Sequence, residues 1–237
     1  VFNFIDNEDA NVSYINNINT VVKAIGNNPK VKKILLEILW NQFALEEVEP
    51  VANHISSAHL LAIAKADNNT DLVKDLTNFK NASLGNIGQD FEIVVYDEDG
   101  QATVKKLHKL DEANHYLVIF WSTTCSHCLD EIPQLHKMVK TLDKGQLKVI
   151  AIALDEDLYR WKDMTYDYPE FYHVFGEGKW DNLIGDSYNV KATPSYFVLD
   201  KDKKIIKKPI DFNAFESYIK TLPKPKKEIE KAEVEKD

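Results

Sequence analysis

The chain contains two cysteines, and only two residues separate them, in the segment Cys125-Ser-His-Cys128. Two thiols at this spacing can form a local disulfide, exchange it with another disulfide, or contribute to a metal or haem site. They cannot provide a framework of structural disulfides, because no further cysteine is available. The pair is therefore the first candidate for chemistry in this sequence.

The predicted elements around the pair assign a role to each thiol. An apolar run with the composition of a buried strand, Tyr116–Trp121, precedes a short turn, so Cys125 falls at the start of a helix predicted to reach about Leu142. Unpaired amide hydrogens and the helix dipole favour a thiolate there. We therefore expect Cys125 to be the nucleophile and Cys128, one turn further in, to be the resolving thiol. His127 between them can stabilise the thiolate by charge or hydrogen bonding.

Other uses of two cysteines fit the sequence less well. A structural zinc site needs four ligands, and no second Cys-x-x-Cys accompanies the pair. Haem attachment requires His directly after the second Cys, and Leu129 occupies that position. A peroxiredoxin-like peroxidase stays open as an alternative, because Ser122-Thr-Thr-Cys125 partly matches the Thr/Ser-x-x-Cys pattern of those enzymes. Its expected upstream Pro is missing, with Val118 near that place, and the nearby Cys128 favours dithiol exchange.

The remaining histidines predict no metal site. His54 and His59 lie on a predicted helix, but five residues apart, which places them on different faces of a regular α-helix. Four others, His108, His115, His136 and His173, lack partners at ligand spacing. We expect neither a metal nor an organic cofactor.

Residues 1–83 have helical periodicity, with Asn at the breaks, and predict a small all-α region. Helices are expected to begin near Pro29, Pro50 and Thr70. The helix from Pro29 carries an apolar stripe that we expect to form core or interface. The stripe consists of Val31, Ile34, Leu35, Ile38, Leu39 and Phe43.

Residues 84–222 change to an α/β pattern. A hairpin is predicted around Asp97–Gly100, followed by a βαβ unit that ends at Leu154. A helix and a looser segment extend to Val190, and a strand pair and a final helix close the domain. The tail, residues 223–237, is rich in Pro, Lys and Glu and is expected to be disordered.

Composition excludes several classes of partner. The chain has 29 basic and 38 acidic residues, and its net charge of -9 gives no attraction for nucleic acid or anionic lipid. Its longest apolar run, Lys148–Leu154, has the length of a strand and is too short to cross a membrane. The chain begins at Val1 rather than Met, which leaves room for an upstream signal, anchor or further domain.

From about residue 85 to 222 the chain resembles the TlpA/ResA-like envelope branch of the thioredoxin superfamily. The segments that carry the resemblance are Leu84-Gly-Asn-Ile-Gly-Gln-Asp-Phe91, Phe120-Trp121, Glu131-Ile-Pro133 and Ala192-Thr-Pro-Ser-Tyr-Phe-Val-Leu-Asp200. The resemblance implies a thioredoxin-like fold, a central mixed sheet flanked by helices with an inserted αβ element. It also implies a protein-disulfide oxidoreductase of the bacterial cell envelope or periplasm, acting as a reductase or isomerase rather than an oxidase.

The resemblance extends to individual residues. It makes Pro194 a cis residue that faces the disulfide, with the backbone of Thr193 pairing to a substrate peptide, and it adds His127 and Trp121 to the expected substrate contacts. Glu131 occupies the position of a carboxylate that assists proton transfer. The redox-active disulfide itself replaces a cofactor, and the implied partners are protein thiols or disulfides and an upstream redox partner.

The chain also departs from the family pattern. Thr124 stands where many members carry a Trp directly before the first cysteine, so the resemblance does not define the substrate surface there. Ile119 occupies the position of the buried acid of thioredoxin itself. The helical region before residue 82 lies outside the resemblance. A binding module in which the cysteines provide redox control is therefore a second alternative.

Overall fold

The computed structural model describes residues 7–26, 28–96, 99 and 101–223. Backbone contacts divide the chain into two compact units. One extends to Gln89 and includes Asp186–Asn189, and the other comprises Asp90–Gly185 and the chain from Val190 onward. Most of the predicted Asp97–Gly100 turn, and the tail after Pro223, lie outside the described residues.

The first unit is helical, as its periodicity predicts. Its segments are α1 (Glu8–Ile25), α2 (Pro29–Leu45), α3 (Glu49–Ile55), a π-helical turn (Ser56–Leu60), α4 (Leu61–Ala66) and α5 (Thr70–Asn81). Asparagines start three of these helices: the side chains of Asn7, Asn28 and Asn69 each accept a hydrogen bond from a backbone amide three residues on. The Asn-rich breaks in the sequence are therefore helix caps.

The buried face of α2 differs from the predicted stripe. Leu36, Trp40 and Phe43 are buried, whereas Val31, Ile34 and Ile38 of the predicted stripe are 49%, 53% and 60% exposed. Apolar residues surround much of this helix, so spacing alone could not choose the inner face. Aromatic packing fixes the inner face of α2, because the rings of Trp40 and Phe79 pack edge to face with their centroids 5.7 Å apart.

The π-helical turn corrects a second expectation. The Leu61 amide donates to the carbonyl of Ser56, five residues back, and widens the helix locally. Side chains five apart consequently share a face, and the ring centroids of His54 and His59 lie 5.6 Å apart. The expectation that these two histidines lie on different faces is wrong.

The second unit is built on a mixed sheet. Its elements are β1 (Glu92–Tyr96), β2 (Ala102–Lys106), β3 (His115–Trp121), α6 (Ser126–Val139), β4 (Leu147–Asp155), α7 (Leu158–Thr165), β5 (Tyr172–Glu177), α8 (Leu183–Ser187), β6 (Ser195–Asp200), β7 (Ile205–Lys207) and α9 (Phe212–Ile219). β1 and β2 pair as a separate antiparallel hairpin, and the other strands form one sheet in the order β5-β4-β3-β6-β7. Strands β3, β4 and β5 are parallel, and β6 and β7 are antiparallel to their neighbours. The sheet has the predicted α/β class.

Strand β5 occupies a segment that the sequence predicts to be loose. It pairs in parallel with β4, from Ile150 opposite Tyr172 to Asp155 opposite Glu177. A Cβ on Gly176 would lie 2.8 Å from the carbonyl oxygen of Ala153, so the absence of a side chain permits this close pairing. An edge strand that contains glycine gives little apolar alternation and is easily missed.

The core of this unit positions the cysteine segment. β3 is buried from Tyr116 to Trp121, and α6 packs Cys128, Ile132 and Leu135 into the same cluster as Phe215 of α9. The start of α6 therefore lies at the carboxyl end of a fully buried strand, where parallel α/β sheets commonly bind their ligands.

Candidate active site

Cys125 is the N-cap residue of α6. Its backbone is extended, with φ -89° and ψ 117°, and its sulfur accepts a hydrogen bond from the amide of Cys128 at 3.3 Å. The side chain is partly exposed. A sulfur at this position receives an amide hydrogen at the positive end of the helix, which favours a thiolate.

Cys128 has the opposite environment. It is fully buried, and burial together with the hydrogen bond to Cys125 raises its pKa to about 12, against the opposing effect of contacts with Ser122 and Thr193. At neutral pH this thiol is protonated. The two sulfurs thus differ in access, since Cys125 is partly exposed and Cys128 is buried. Thiol-disulfide exchange needs one accessible thiol and a second thiol close to it.

The loop before β6 completes this surface. The thiol of Cys125 donates to the carbonyl oxygen of Thr193 at 3.3 Å, and the following peptide bond, Thr193–Pro194, is cis. Both residues are partly exposed. The structure therefore brings together four residues that the sequence predicts for the site: Cys125, Cys128, Thr193 and Pro194.

A buried carboxylate, which sequence reasoning missed, holds the turn before Cys125. Asp155 is 1% exposed and accepts hydrogen bonds from Ser122 Oγ at 2.9 Å, from the Thr123 amide at 2.9 Å and from Thr123 Oγ1 at 3.2 Å. The register of β3 and β4, which pairs Trp121 with Ala153, leads to this contact. An Asp directly after the second buried strand was the available signal, because the carboxyl ends of neighbouring parallel strands meet at one edge.

Glu131 lies one turn beyond Cys128 and is partly buried. Its Oε2 accepts hydrogen bonds from the hydroxyl of Tyr196 and from the amide of Phe212 at 3.0 Å. Burial, followed by the contact with Glu131, raises the pKa of Tyr196, so its hydroxyl keeps its proton and acts as a donor. In the described part of the chain no hydrogen bond joins Glu131 to either sulfur.

The other two expected substrate contacts, Trp121 and His127, differ in exposure. Trp121 is 1% exposed and belongs to the core, and its indole Nε1 has no hydrogen-bond partner among the described residues. It offers no surface to a substrate, because its side chain packs in the core cluster that also contains Cys128 and Ile132. His127 is exposed, and within the described residues it makes no hydrogen bond or ion pair.

The described residues also bear on metal binding and on insertion into a membrane. No three His, Cys, Asp or Glu side chains there converge as a metal-binding group. No helix in the described ranges has the length and apolar character to cross a membrane.

Comparison with known proteins agrees with the fold. Residues 113–205, which include both cysteines and Thr193–Pro194, match a family model described as thioredoxin-like. A solved thioredoxin-like protein from Bacteroides caccae is 20% identical, with a TM-score of 0.57 over 89% of this chain and 77% of that chain. This likeness shows the fold. The second unit is therefore a thioredoxin-like domain.

Two curated relatives are similar to part of the chain. The thiol-disulfide oxidoreductase ResA of Bacillus cereus is 30% identical over 91 residues, which are 38% of this chain and 51% of that protein. The ResA of Bacillus anthracis is 27% identical over 106 residues, which are 44% of this chain and 60% of that protein. The chain thus spans between half and two thirds of the length of these relatives.

Proposed function

We propose that this protein is a protein-disulfide oxidoreductase that acts through the dithiol of Cys125 and Cys128. One observation carries the proposal. A partly exposed sulfur at a helix N-terminus lies beside a buried thiol whose pKa is raised to about 12, so attack and resolution fall to different residues.

The reaction conserves atoms and electrons. The Cys125 thiolate attacks one sulfur of a substrate disulfide, which breaks the S–S bond, forms a mixed disulfide and releases the other substrate sulfur as a thiolate that takes up a proton. Cys128 then loses its proton and attacks Cys125, which releases the second substrate thiol. The substrate gains two electrons and the protein becomes a disulfide. A dithiol partner upstream reduces the protein again.

Thr193 and Pro194 form the peptide-binding edge in this proposal. The Thr193 carbonyl accepts from the Cys125 thiol, so this loop lies within hydrogen-bond distance of the attacking sulfur. A substrate chain that pairs with the Thr193 backbone would carry its disulfide to Cys125. His127, exposed on the first turn of α6, is available to contact the same substrate.

Glu131 is proposed to accept the proton of Cys128 during resolution. The Tyr196 hydroxyl and the Phe212 amide fix one of its oxygens, which leaves the other oxygen of the carboxylate as an acceptor. Glu131→Gln keeps a side-chain oxygen for both donors but removes the base. It should slow release of the second substrate thiol while Cys125 alkylation is unchanged. Asp130→Asn, on the neighbouring exposed position, is the control, and an unchanged release rate in Glu131→Gln would remove this role.

Reduction or isomerisation is the proposed direction, in the bacterial cell envelope. Support comes from the segments Glu131-Ile-Pro133 and Ala192–Asp200, which resemble those of TlpA/ResA-like envelope proteins.

Capture of the mixed disulfide tests the function. In Cys128→Ser the mixed disulfide cannot be resolved, so disulfide-containing protein should accumulate on Cys125 and be released by dithiothreitol. Cys125→Ser is the matched control and should capture nothing. Reduction of insulin disulfides by the unmodified chain with a dithiol reductant should be lost in both variants. Capture through Cys125 combined with no insulin reduction would leave a redox-controlled binding module, and rapid consumption of hydroperoxide by Cys125 would favour the peroxidase.

A further inference from the structure

Three side chains of the helical unit converge on one point. The Nε2 atoms of His54 and His59 lie 2.9 and 3.0 Å from the same atom, Oδ1 of Asn19 in α1. Their rings are nearly perpendicular, with an interplanar angle of 83° and centroids 5.6 Å apart. Two imidazole nitrogens and an amide oxygen therefore face a common position.

The backbone between His54 and His59 departs from a regular α-helix. In a regular α-helix, residues five apart are rotated by about 140° and cannot share a ligand. The π-helical turn Ser56–Leu60 removes that rotation, through the hydrogen bond from the Leu61 amide to the Ser56 carbonyl. Single π-helical turns inside α-helices are uncommon and are frequently found at functional sites.

We propose that Asn19, His54 and His59 bind a divalent first-row transition-metal ion, with water completing its coordination. Imidazole is a preferred ligand of zinc, copper and nickel, and the expected distance from such an ion to an imidazole nitrogen is about 2.0–2.1 Å. The two nitrogens already lie within hydrogen-bond distance of one amide oxygen, and a bound ion would replace these two hydrogen bonds. All three residues belong to the helical unit.

The surrounding charges set its affinity. Lys32 lies close enough to His59 to act on it electrostatically. Its positive charge opposes a bound cation, so Lys32→Gln should tighten binding.

Titration calorimetry on the full chain tests the site. Cys125→Ser and Cys128→Ser are introduced together so that thiols do not bind the metal. We expect saturable binding of one Ni²⁺ or Zn²⁺ per chain and none of Mg²⁺. His54→Gln and His59→Gln should each weaken binding by about tenfold or more, the scale of losing a metal-site contact. His108→Gln, in the thioredoxin-like unit, is the matched control and should bind as before.

A second measurement needs no substitution of the proposed ligands. Paramagnetic Ni²⁺ added to the Cys-free chain should broaden the ring resonances of His54 and His59 before those of the other histidines. The proposal is overturned if no saturable binding occurs, if broadening begins elsewhere, or if binding survives in the chain that carries both His54→Gln and His59→Gln.

Discussion

The two sulfur atoms differ in what surrounds them. Cys125 receives an amide hydrogen bond at the N-terminus of α6 and is partly exposed, whereas Cys128 is enclosed by the core. Burial removes the water that would stabilise a thiolate, which is the main reason for the raised pKa of Cys128. The two thiols thus differ because Cys125 lies at the helix N-terminus and Cys128, three residues later, lies in the core.

Alkylation should distinguish the two thiols. Because the pKa of Cys128 is raised to about 12, only about one molecule in ten thousand carries its thiolate at pH 8. Iodoacetamide at pH 8 should therefore label Cys125 and leave Cys128 unmodified, as measured by mass spectrometry of the peptides. In Cys125→Ser, Cys128 should stay unlabelled in the native protein and react in denaturant. Equal labelling of both native thiols would contradict this assignment.

Replacement of Asp155 should damage both stability and reactivity. The carboxylate accepts three hydrogen bonds from Ser122 and Thr123, and an amide in Asp155→Asn would offer one acceptor oxygen and an unwanted donor group. Breaking a buried polar network costs about 1–3 kcal/mol, and the turn that holds Cys125 loses its support. We expect a lower free energy of unfolding in urea and slower alkylation of Cys125. Asp130→Asn is the exposed control, and wild-type values in Asp155→Asn would show that the turn does not need the carboxylate.

At the scale of elements, β5 pairs with β4 and forms one edge of the sheet. Strand β4 is buried from Val149 to Asp155, and β5 runs beside it with Gly176 against the Ala153 carbonyl. Backbone atoms cannot move aside as flexible side chains do, so this contact constrains the sequence of β5.

A methyl group at position 176 should loosen this pairing. The Cβ of Gly176→Ala would lie 2.8 Å from a backbone oxygen, and such overpacking costs about 1–3 kcal/mol. Gly185→Ala is a matched control, since its Cβ would meet side-chain methyls of Leu154 at 3.3 and 3.5 Å, which can rotate away. The urea midpoint should fall clearly more for Gly176→Ala than for Gly185→Ala. Equal midpoints would mean that β5 shifts without cost.

For the molecule as a whole, acid should weaken the fold through a buried histidine. Burial lowers the pKa of His173 below its ordinary value of 6.5, against a hydrogen bond between its Nε2 and the Tyr168 carbonyl, and its Nδ1 has no partner in the described part of the chain. The unfolded chain therefore binds a proton more readily than the folded one. The stabilising contribution is complete above pH 6.5 and is lost as pH falls through the folded-state value.

Unfolding at several pH values measures this contribution. Between pH 7 and pH 5, the free energy of unfolding should fall less in His173→Gln than in the unmodified chain, because glutamine can still donate to the Tyr168 carbonyl and does not titrate. His108→Gln should follow the unmodified chain. Parallel pH dependence in all three proteins would exclude His173 as the source.

Most of the fold could be predicted because its signals are local. The strands β3 and β4, the helices α2 and α5 and the cysteine turn follow from apolar runs, caps and spacing within short windows of sequence. The edge strand β5 gave no such signal. The predicted inner face of α2 was right for Phe43 and wrong for Val31, Ile34 and Ile38, because apolar residues occur around much of that helix. Both depend on which partner surface packs against the segment.

The sequence by itself determined the spacing of the two cysteines and the place of Cys125 at a helix N-terminus, because the pair follows a buried strand and a short turn. The order in which the two thiols act is a prediction from that placement. Only the tertiary structure decided that Asp155 supports the turn, that Trp121 is core, and that His54 and His59 face Asn19. The physical reason is that these contacts depend on strand register, burial and a widened helical turn. Such properties arise when distant segments pack together.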